Sequence, residues 1–404
     1  MATTSYLYHT LSLMRYQYLN TKFQQGSIYH HVTKKREERT CAHCKAPWHK
    51  LTLEGRFERH FRALPVGRKP QWVVLHGHFQ YCQNCGRTLR EPIDFARGKR
   101  RRLKAFDRYV VDLCRIAPIK QVAQLLAVGW DLVKEIFKEH LAHELRKRKL
   151  DGVRYLAVDE FALRKGHHYM TIVLDLESGQ ILHAQEGKDA QALIPFLEKL
   201  KRKKVPLLAI AMDMSPAYLQ AVRQVFPKVD IVHDPYHVVS LVNKAIEETR
   251  RDIARELNDQ DKQVIKGSRF LLLRGLESLN AYSLSKLMDL MEVNEPLYAA
   301  YLLKEDLRTF WNQPNEQSGA VFLDAWITQA CSFNLPHFTK LAQTLQRHRA
   351  ELLSYFRHRI STGPLEGVNN KIKVLKRQAY GFRDKLYFKL RLFFLHEQTP
   401  AFAG

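Results

Sequence analysis

The sequence predicts a multidomain α/β protein in which helices cover a mixed β-sheet. A long all-helical insertion interrupts this core, and two small modules precede it. Three observations predict this fold class. Residues 151–239 alternate between strand and helix patterns. Residues 242–356 show helical periodicity with few strand signals, and residues 41–150 contain two Cys-x-x-Cys pairs followed by closely spaced short helices.

The first module is built around paired cysteines. Cys41 with Cys44 and Cys82 with Cys85 flank strand-forming segments at 72–75 and 78–81. Four thiolates on two tight turns are the ligand set of a structural zinc ribbon with one Zn²⁺ and no open position for chemistry. A redox pair or chance spacing are the alternatives, and a nearby histidine could replace one cysteine. The candidate histidines are His43, His49, His76 and His78.

The second module has the pattern of a helix-turn-helix. Helices are predicted at 105–116, 119–126 and 131–140, with a tight turn at 127–129. The alternative is an ordinary helical hairpin. Basic blocks at both ends favour DNA binding, because phosphate contacts would lie there. The candidate contacts in the first block are Arg100, Arg101, Arg102 and Lys104.

The composition also indicates an anionic partner. The 404 residues carry a formal net charge of +24, and the cations form blocks such as RGKRRRLK at 97–104. Such blocks favour nucleic acid over a uniformly solvated basic surface. No apolar run is long enough to cross a membrane, and the first residues lack a secretory signal. We therefore expect a cytoplasmic, nucleoid-associated protein. The unpaired Cys114 and Cys331 are expected in the core.

The pattern of the core predicts an antiparallel meander of three strands, followed by strands that are joined through crossover helices. Three strands come first, and each later strand follows a helix, which predicts a mixed sheet. The predicted strands are 154–158, 169–174, 180–186, 205–212 and 230–232, and the predicted helices are 189–200, 215–225 and one that starts at 236.

Two acids end strands of this core. Asp159 follows the first predicted strand and Asp213 the fourth, two strands that are commonly neighbours. A third acid, Glu366, lies on a basic helix predicted at 361–381. Three converging carboxylates can hold two Mg²⁺ or Mn²⁺ ions for phosphodiester chemistry.

Other roles for these acids remain open. Glu160 could replace Asp159, and Asp175 also ends a strand. Asp213 could cap the following helix. Glu366 could pair with Lys371 or Asn370.

The helix with Glu366 has two distinct faces. At helical pitch Glu366 shares a face with Asn370, Lys373 and Arg377, and a second face is apolar. A carboxylate amid cations is typical of a site that binds both a metal and phosphates. The apolar face consists of Val368, Ile372, Leu375 and Ala379.

Four segments resemble the transposases of the ISL-three family of bacterial insertion sequences. The first, AVDEFALRKGHHYMTIVLDLESGQIL, contains Asp159, and the second, AIAMDMSPAYLQAV, contains Asp213. The third, IVHDPYHVVSLVNKAIEETRR, contains an Asp-x-x-His unit, and the fourth, STGPLEGVNNKIKVLKRQAYGFRD, contains Glu366. The resemblance covers about residues 40–395, and the cysteine module and helix-turn-helix match in order.

The resemblance implies a DDE transposase with an RNase H-like core. Asp159, Asp213 and Glu366 would be its catalytic, magnesium-binding acids. The two small modules would bind the terminal inverted repeats of double-stranded transposon DNA, and the enzyme would transfer the cleaved ends to target DNA. Paired ends imply at least a homodimer. Further DNA contacts would come from Lys165, His237, Asn370, Lys371, Lys373, Lys376 and Arg377.

Two other functions stay open. The chain could be a transposase-derived regulator that only binds DNA, or an RNase H-like nuclease without strand transfer. His237 could equally be a core histidine. The expected domains are an arm at 1–40, the zinc ribbon at 41–95, the helix-turn-helix at 96–150, the catalytic core at 151–240 and 357–404, and the helical insertion at 241–356.

Overall fold

The chain folds into two compact units. The computed structural model describes residues 2–164, 168–256, 268–379 and 381–395. The first unit is built mainly from Met1–Lys147 and Gln378–Leu390, and the second from Arg148–Arg377 and Arg391–His396. Lys165 lies outside the described residues. No described helix is long and apolar enough to span a membrane.

A five-stranded sheet dominates the first unit. The long strands β3 and β4 pair antiparallel, and β5 pairs with the end of β4. The strand order is β1-β2-β4-β3, with β5 beside β4. The elements are α1 (Ala2–Leu11), β1 (Tyr16–Gln24), β2 (Ser27–Lys34), β3 (Leu51–Val66), β4 (Lys69–Cys82) and β5 (Arg87–Arg90).

The expectation of an N-terminal arm over residues 1–40 was wrong, because β1 and β2 belong to this sheet. β2 pairs in parallel with β4, from Ile28 opposite Gln71 to Val32 opposite Leu75. Its inward positions alternate regularly, but two of them are His30 and Lys34. Polar residues at buried positions break the hydrophobic alternation that marks a strand.

Three consecutive helices follow the sheet in the first unit and confirm the predicted order. They are α2 (Lys104–Ile116), α3 (Ile119–Leu126) and α4 (Trp130–Lys147), the last of which runs one to two turns beyond the predicted end. Ala127 ends α3 in the left-handed conformation, with φ of 49°, which produces the tight turn before α4. The buried side chains between them include Phe106, Val110, Val122, Leu126, Val133 and Phe137.

The second unit contains the predicted mixed sheet. β6, β7 and β8 form an antiparallel meander, and β9 runs parallel to both β6 and β10. The order is β10-β9-β6-β7-β8. The strands are β6 (Tyr155–Arg164), β7 (His168–Asp175), β8 (Ile181–Glu186), β9 (Ala209–Met212) and β10 (Asp230–His233), and the helices are α5 (Ala190–Arg202), α6 (Pro216–Val225) and α7 (Pro235–Glu256).

Two strand boundaries differ from the predicted ones. β6 does not end at Asp159 but continues to Arg164, because its hairpin with β7 keeps pairing beyond that residue. β9 spans only Ala209–Met212 rather than 205–212. Pro206 has no N–H for a central strand, so the segment before Ala209 leaves the ladder.

The predicted insertion contains only helices among its described residues. They enclose a core that includes Leu297, Leu323, Trp326 and Phe338. Cys114 is buried as expected, whereas Cys331 is exposed on a helix surface, so its expected core position was wrong. The helices after α7 are α8 (Arg269–Leu273), α9 (Ala281–Val293), α10 (Glu295–Arg308), α11 (Glu316–Ser332), α12 (Pro336–Arg347), α13 (Arg349–Leu353), α14 (Tyr355–His358), α15 (Gly363–Gln378) and α16 (Lys385–Phe393).

Candidate functional site

Asp159 and Asp213 lie side by side in the second unit. β6 and β9 are parallel neighbours with Ala157 opposite Ala211, and the same register brings the two acids level. β9 ends at Met212, so no strand pairs with β6 on this side at Asp159. Asp159 therefore lies beside the end of β9, although its own strand continues. Burial raises the pKa of Asp159, and the charge of Asp213 raises it further.

Glu160 is a third acid in this region. Burial raises its pKa, and the charges of Asp213 and Asp159 add to the effect. The Tyr218 hydroxyl donates to its Oε2 at 3.3 Å. Burial and the neighbouring acids, which raise the pKa of Asp159 and of Glu160, disfavour the ionised form of both carboxyls, and a bound cation would stabilise that form. The site therefore has the electrostatics of a divalent-cation site, and a role for Glu160 stays open.

Glu366 is brought to the same sheet by α15. Leu365, Val368, Ile372 and Leu375 bury one side of this helix. The Asn369 amide donates from Nδ2 to Oδ2 of Asp159 at 2.9 Å. Glu366 itself is exposed one turn earlier. The helix some 150 residues beyond Asp213 therefore returns to the strand that carries Asp159.

Asp159 and Asp213 are adjacent in the sheet, and Glu366 lies one turn before Asn369, which bonds Asp159, but the three acids do not form a tight ligand cluster. Among the described residues, only two groups of three or more potential ligands have all their donor atoms within 4.8 Å, and neither contains these acids. The donors nevertheless fit Mg²⁺ or Mn²⁺, which prefer carboxylate and amide oxygens. The Oδ1 atom of Asn369 is buried without a hydrogen-bond partner, as expected of an oxygen that a bound cation or its water would satisfy.

His237 also belongs to this region. It lies in the first turn of α7 and is half-buried, and its charged form would lower the pKa of Asp159. A fully buried core histidine would not have this exposure. The preceding residue, Tyr236, is 69% exposed, so α7 begins with an accessible aromatic and an imidazole facing the acids.

Two side chains predicted to contact DNA are instead hydrogen-bonded to other residues of the protein. Arg102 is 8% exposed, and its Nε donates to Asp107 at 2.6 Å, so we assign it a structural role. Lys376 donates from Nζ to the carbonyl oxygens of Leu163 at 2.7 Å and Ala162 at 3.0 Å. Neither side chain can reach a phosphate without breaking these bonds.

The remaining predicted contacts lie at the surface of their elements. Arg101 is exposed, whereas Arg100 is half-buried and hydrogen-bonds Glu139. On α15 the Nζ of Lys373 donates to Asn370 at 3.3 Å. Arg100 also lines an open cavity of about 1060 Å³ beside α2 and α4. The exposed candidates on α15 are Asn370, Lys371, Lys373 and Arg377, and the cations around the cavity include Arg97, Lys99, Arg108, Arg115 and Arg146.

The four cysteines of the first module form one cluster. The Sγ atoms of Cys41 and Cys85 are 3.7 Å apart and those of Cys44 and Cys82 are 3.6 Å apart. Tetrahedral Zn–S bonds of about 2.3 Å would separate two sulfurs by about 3.8 Å, so the cluster fits zinc. Hydrogen bonds from Asn84 and the backbone lower the pKa of Cys44 to about 6, whereas burial and the neighbouring cysteines raise that of Cys85 to about 12, so the fit to zinc rests on the positions of the sulfurs. His43 is exposed and contributes only a backbone N–H, to the Cys41 sulfur.

A second group, His233, His348 and Glu351, is satisfied without a metal. The rings of His233 and His348 contact through Nε2 and Nδ1 at 3.2 Å. The other nitrogen of His233 faces the Met212 carbonyl oxygen at 3.4 Å, and Glu351 accepts a bond from Arg223. The sequence analysis did not identify this group. Burial, with a contribution from His348, lowers the pKa of His233 to about 4, so both rings stay neutral at pH 7.

Asn369 is the site residue that the sequence analysis missed. The helical pattern favoured the neighbouring Asn370, which shares the exposed face of Glu366 but points to solvent. A usable signal was present. Asn369 lies seven residues from both Thr362 and Lys376, and polar residues two turns apart beside an apolar stripe indicate a helix face with polar partners.

Comparisons with known proteins agree on one family. Residues 156–392 match the family described as "Transposase" in its DDE form, and residues 91–141 match "Helix-turn-helix domain of transposase family ISL3". The transposase for insertion sequence element IS1001 of Bordetella parapertussis is 32% identical over 341 residues, which covers 83% of each chain. The transposase for IS1557 of Mycobacterium tuberculosis is 28% identical over 376 residues, or 86% of this chain and 83% of the relative.

Among solved structures, a chain of the "Drosophila P element transposase strand transfer complex" aligns with a TM-score of 0.40 and 11% identity, covering 72% of this chain and 91% of that one. This similarity is too low to support an argument. The family match spans more than half of the sequence, and the relative at 32% identity covers most of it. The chain therefore belongs to the ISL3 family of insertion-sequence transposases and is a DDE transposase.

Proposed function

We propose that Asp159, Asp213 and Glu366 form the catalytic triad of this transposase. The observation that carries the proposal is the hydrogen bond from Asn369 to Asp159, because it ties the helix of Glu366 to the strand beside Asp213. The alternatives for each acid are weaker. The Asp213 carboxylate does accept the N–H of Ser215, but a capping role does not explain why Asp159 and Glu160 lie close enough for their charges to interact with it.

The strand order supports an RNase H-like core. An antiparallel meander whose first strand pairs in parallel with a fourth, itself parallel to a fifth, gives the observed order β10-β9-β6-β7-β8. This arrangement places the first and fourth strands at the centre. Asp159, within the first strand, and Asp213, which follows the fourth, are then level with each other where β9 ends, and α/β proteins place their ligands at such strand ends.

Two divalent cations held by the three acids would activate the attacking oxygen and stabilise the leaving oxygen. In the proposed first step, water attacks a phosphodiester at the end of the element, and the departing oxygen leaves as a 3′-hydroxyl. In the second, that 3′-hydroxyl attacks a phosphodiester of target DNA and displaces a target 3′-oxygen. His237 and the exposed cations of α15 would hold the phosphates beside the acids.

DNA binding belongs to the helix-turn-helix, and we propose that it recognises the terminal inverted repeats together with the cysteine module. α4 would enter the major groove as the recognition helix. The basic cavity beside α2 and α4 would contact the phosphate backbone. Zinc on the four cysteines would hold the ribbon together, and two copies of the chain would pair the two ends.

A strand-transfer assay separates this proposal from its two rivals. The protein is incubated with Mg²⁺, a labelled DNA duplex carrying the flanking end of its element, and a supercoiled plasmid. We expect labelled ends joined to the plasmid. Cleaved ends without joining would favour the nuclease, and binding without cleavage would favour the regulator. Either outcome would overturn the proposed function.

A further inference from the structure

Three polar side chains of α15 and its N-terminal flank lie on one side of the helix. Thr362, Asn369 and Lys376 are spaced seven residues apart. Seven residues are about two helical turns, so their side chains lie nearly in line. Apolar residues Leu365, Val368, Ile372 and Leu375 bury the adjacent stripe. The three polar residues therefore face the sheet rather than solvent.

Each of the three is bonded to β6 or to the residue that follows β10. The Thr362 hydroxyl hydrogen-bonds Asp234, the residue after β10. Asn369 bonds Asp159 in β6, and Lys376 bonds the carbonyl oxygens of Ala162 and Leu163 further along β6. All three contacts lie within the second unit. Together they fix the position of α15 along its own axis.

Glu366 lies between the first two contacts of this row. It is four residues after Thr362 and three before Asn369, so it neighbours both on the helix surface. A shift of α15 by one turn would move Glu366 about 5 Å along the sheet. The contacts of Thr362 and Asn369 therefore set the distance between Glu366 and the acids of the sheet.

Asn369 has a second effect, on Asp159 itself. The backbone N–H of Glu160 donates to one oxygen of the Asp159 carboxylate at 2.8 Å, and Asn369 donates to the other at 2.9 Å. The two bonds hold the carboxylate plane in one orientation. Only the amide nitrogen of Asn369 can face a carboxylate oxygen favourably, so its Oδ1 points elsewhere, and that atom is buried without a partner.

We propose that Asn369 is a positioning residue for the reaction, which orients Asp159 for metal binding and holds Glu366 in register with it. The inference rests on the proposed triad. Removing its amide leaves both acids in place but frees the Asp159 carboxylate to rotate and lets α15 slide. Outer partners that orient metal ligands typically contribute about 10–100-fold in metal affinity.

Direct metal binding tests the proposal without DNA or turnover. Mn²⁺ affinity of the full-length protein is measured by electron paramagnetic resonance for the wild type, Asn369→Leu and Asn370→Leu. We expect the Asn369 variant to lose about 10–100-fold in Mn²⁺ affinity. The Asn370 variant carries the same change one residue further on, at a solvent-facing position, and should keep the wild-type Mn²⁺ affinity.

The metal dependence of cleavage gives a second readout. For Asn369→Leu the Mg²⁺ concentration for half-maximal cleavage should rise in the same proportion, and saturating Mg²⁺ should restore part of the rate. Wild-type Mn²⁺ affinity in this variant would overturn the inference. If Asn369→Leu does not fold, Asn369→Ser is measured in its place, because a serine is small and polar, and the same two outcomes decide.

A further variant separates this inference from the proposed function. Asp159→Asn should lose Mn²⁺ binding because it removes a ligand charge. If that variant binds Mn²⁺ like the wild type, the triad itself is wrong. If Asp159→Asn loses binding while Asn369→Leu keeps it, the triad stands and only the positioning role of Asn369 fails.

Discussion

At the scale of single residues, the ionised acids beside the end of β9 lower the stability of the metal-free fold, and we propose that the reaction requires them. Burial and the charge of Asp213 raise the pKa of Asp159, so its ionised form is unfavourable in the metal-free protein. Carboxylates that are destabilised by burial and by a like charge are common at catalytic centres. The raised pKa predicts that neutralising this acid will stabilise the fold while it abolishes the reaction.

Asp159→Asn should raise the melting temperature of the metal-free protein by about 2–4 °C, equivalent to about 1 kcal/mol. The buried charge disappears, and Asn369 can turn its amide to offer its unpartnered Oδ1 to the new amide. Differential scanning fluorimetry with and without Mg²⁺ measures this. The wild type should gain stability on addition of Mg²⁺ and the variant should not. A variant that melts several degrees lower would contradict the account.

The contact between buried His233 and half-buried His348 makes stability depend on pH. The pKa of His233 is about 4 in the fold and about 6.5 in the unfolded chain. Between these values the unfolded chain binds a proton here that the folded chain does not. Stability is therefore full above about pH 6.5, is lost as the pH falls towards 4, and changes no further below that.

This difference in the pKa of His233 lowers the free energy of unfolding by about 3 kcal/mol at most. Urea unfolding of wild type, His233→Phe and His49→Gln at pH 7.5, 6 and 5 isolates it. The free energy of unfolding of His233→Phe should fall less between pH 7.5 and 5 than that of the wild type. His49 is exposed, so its variant should follow the wild type. Equal slopes for wild type and His233→Phe would refute the assignment.

At the scale of elements, the basic block before α2 contains one buried arginine with a structural partner and one exposed arginine that we propose as a DNA contact. Arg102 and Asp107 are both 8% exposed and form a bond of 2.6 Å. Arg101, next to it, is exposed. The sequence predicted both as DNA contacts, because charge runs do not reveal which side chain turns inward. Which side chains of this block point inward is set by the backbone bridges that pair residue 96 with 103 and residue 62 with 102.

Arg102→Ala should destabilise the first unit by about 3 kcal/mol, because Asp107 stays buried and keeps only the more distant Arg100 at 4.0 Å. Arg101→Ala, the matched control, should leave the melting temperature unchanged. It should instead weaken DNA binding and reduce the slope of log affinity against log salt by about 1. Thermal unfolding and a salt titration of DNA binding measure both. The reverse pattern would show that Arg102, not Arg101, contacts phosphate.

The cysteine module should contain one zinc ion per chain. Cys44→Ser should lower the zinc content, measured by elemental analysis, and expose β3 and β5 to proteolysis, because the metal holds both turns. Cys331→Ser changes an exposed cysteine outside the cluster and should keep one zinc. Purified, folded wild type without zinc would contradict the assignment.

The cysteine spacing could predict the cysteine cluster. The strand β2 of the supporting sheet could not be predicted, because it buries the polar residues His30 and Lys34.

At the scale of the whole molecule, the sequence could predict the order of elements in the second unit, since strand and helix periodicities are distinct there. It could not predict how α15 docks. Adjacent residues of a helix are about 100° apart, so the difference between Asn369 and Asn370 depends on the phase of the helix against the sheet. That phase is set by long-range contacts such as Lys376 with Leu163.

The central claim is that acids from two neighbouring strands and one distant helix form a single catalytic centre. The most direct test maps the products of a labelled DNA end in Mg²⁺ for wild type, Asp213→Asn and Glu366→Gln at equal DNA occupancy. The account predicts a defined cut with a 3′-hydroxyl for the wild type. Each variant should bind DNA normally but cut at least about 100-fold more slowly. Wild-type cutting by either variant would contradict the claim.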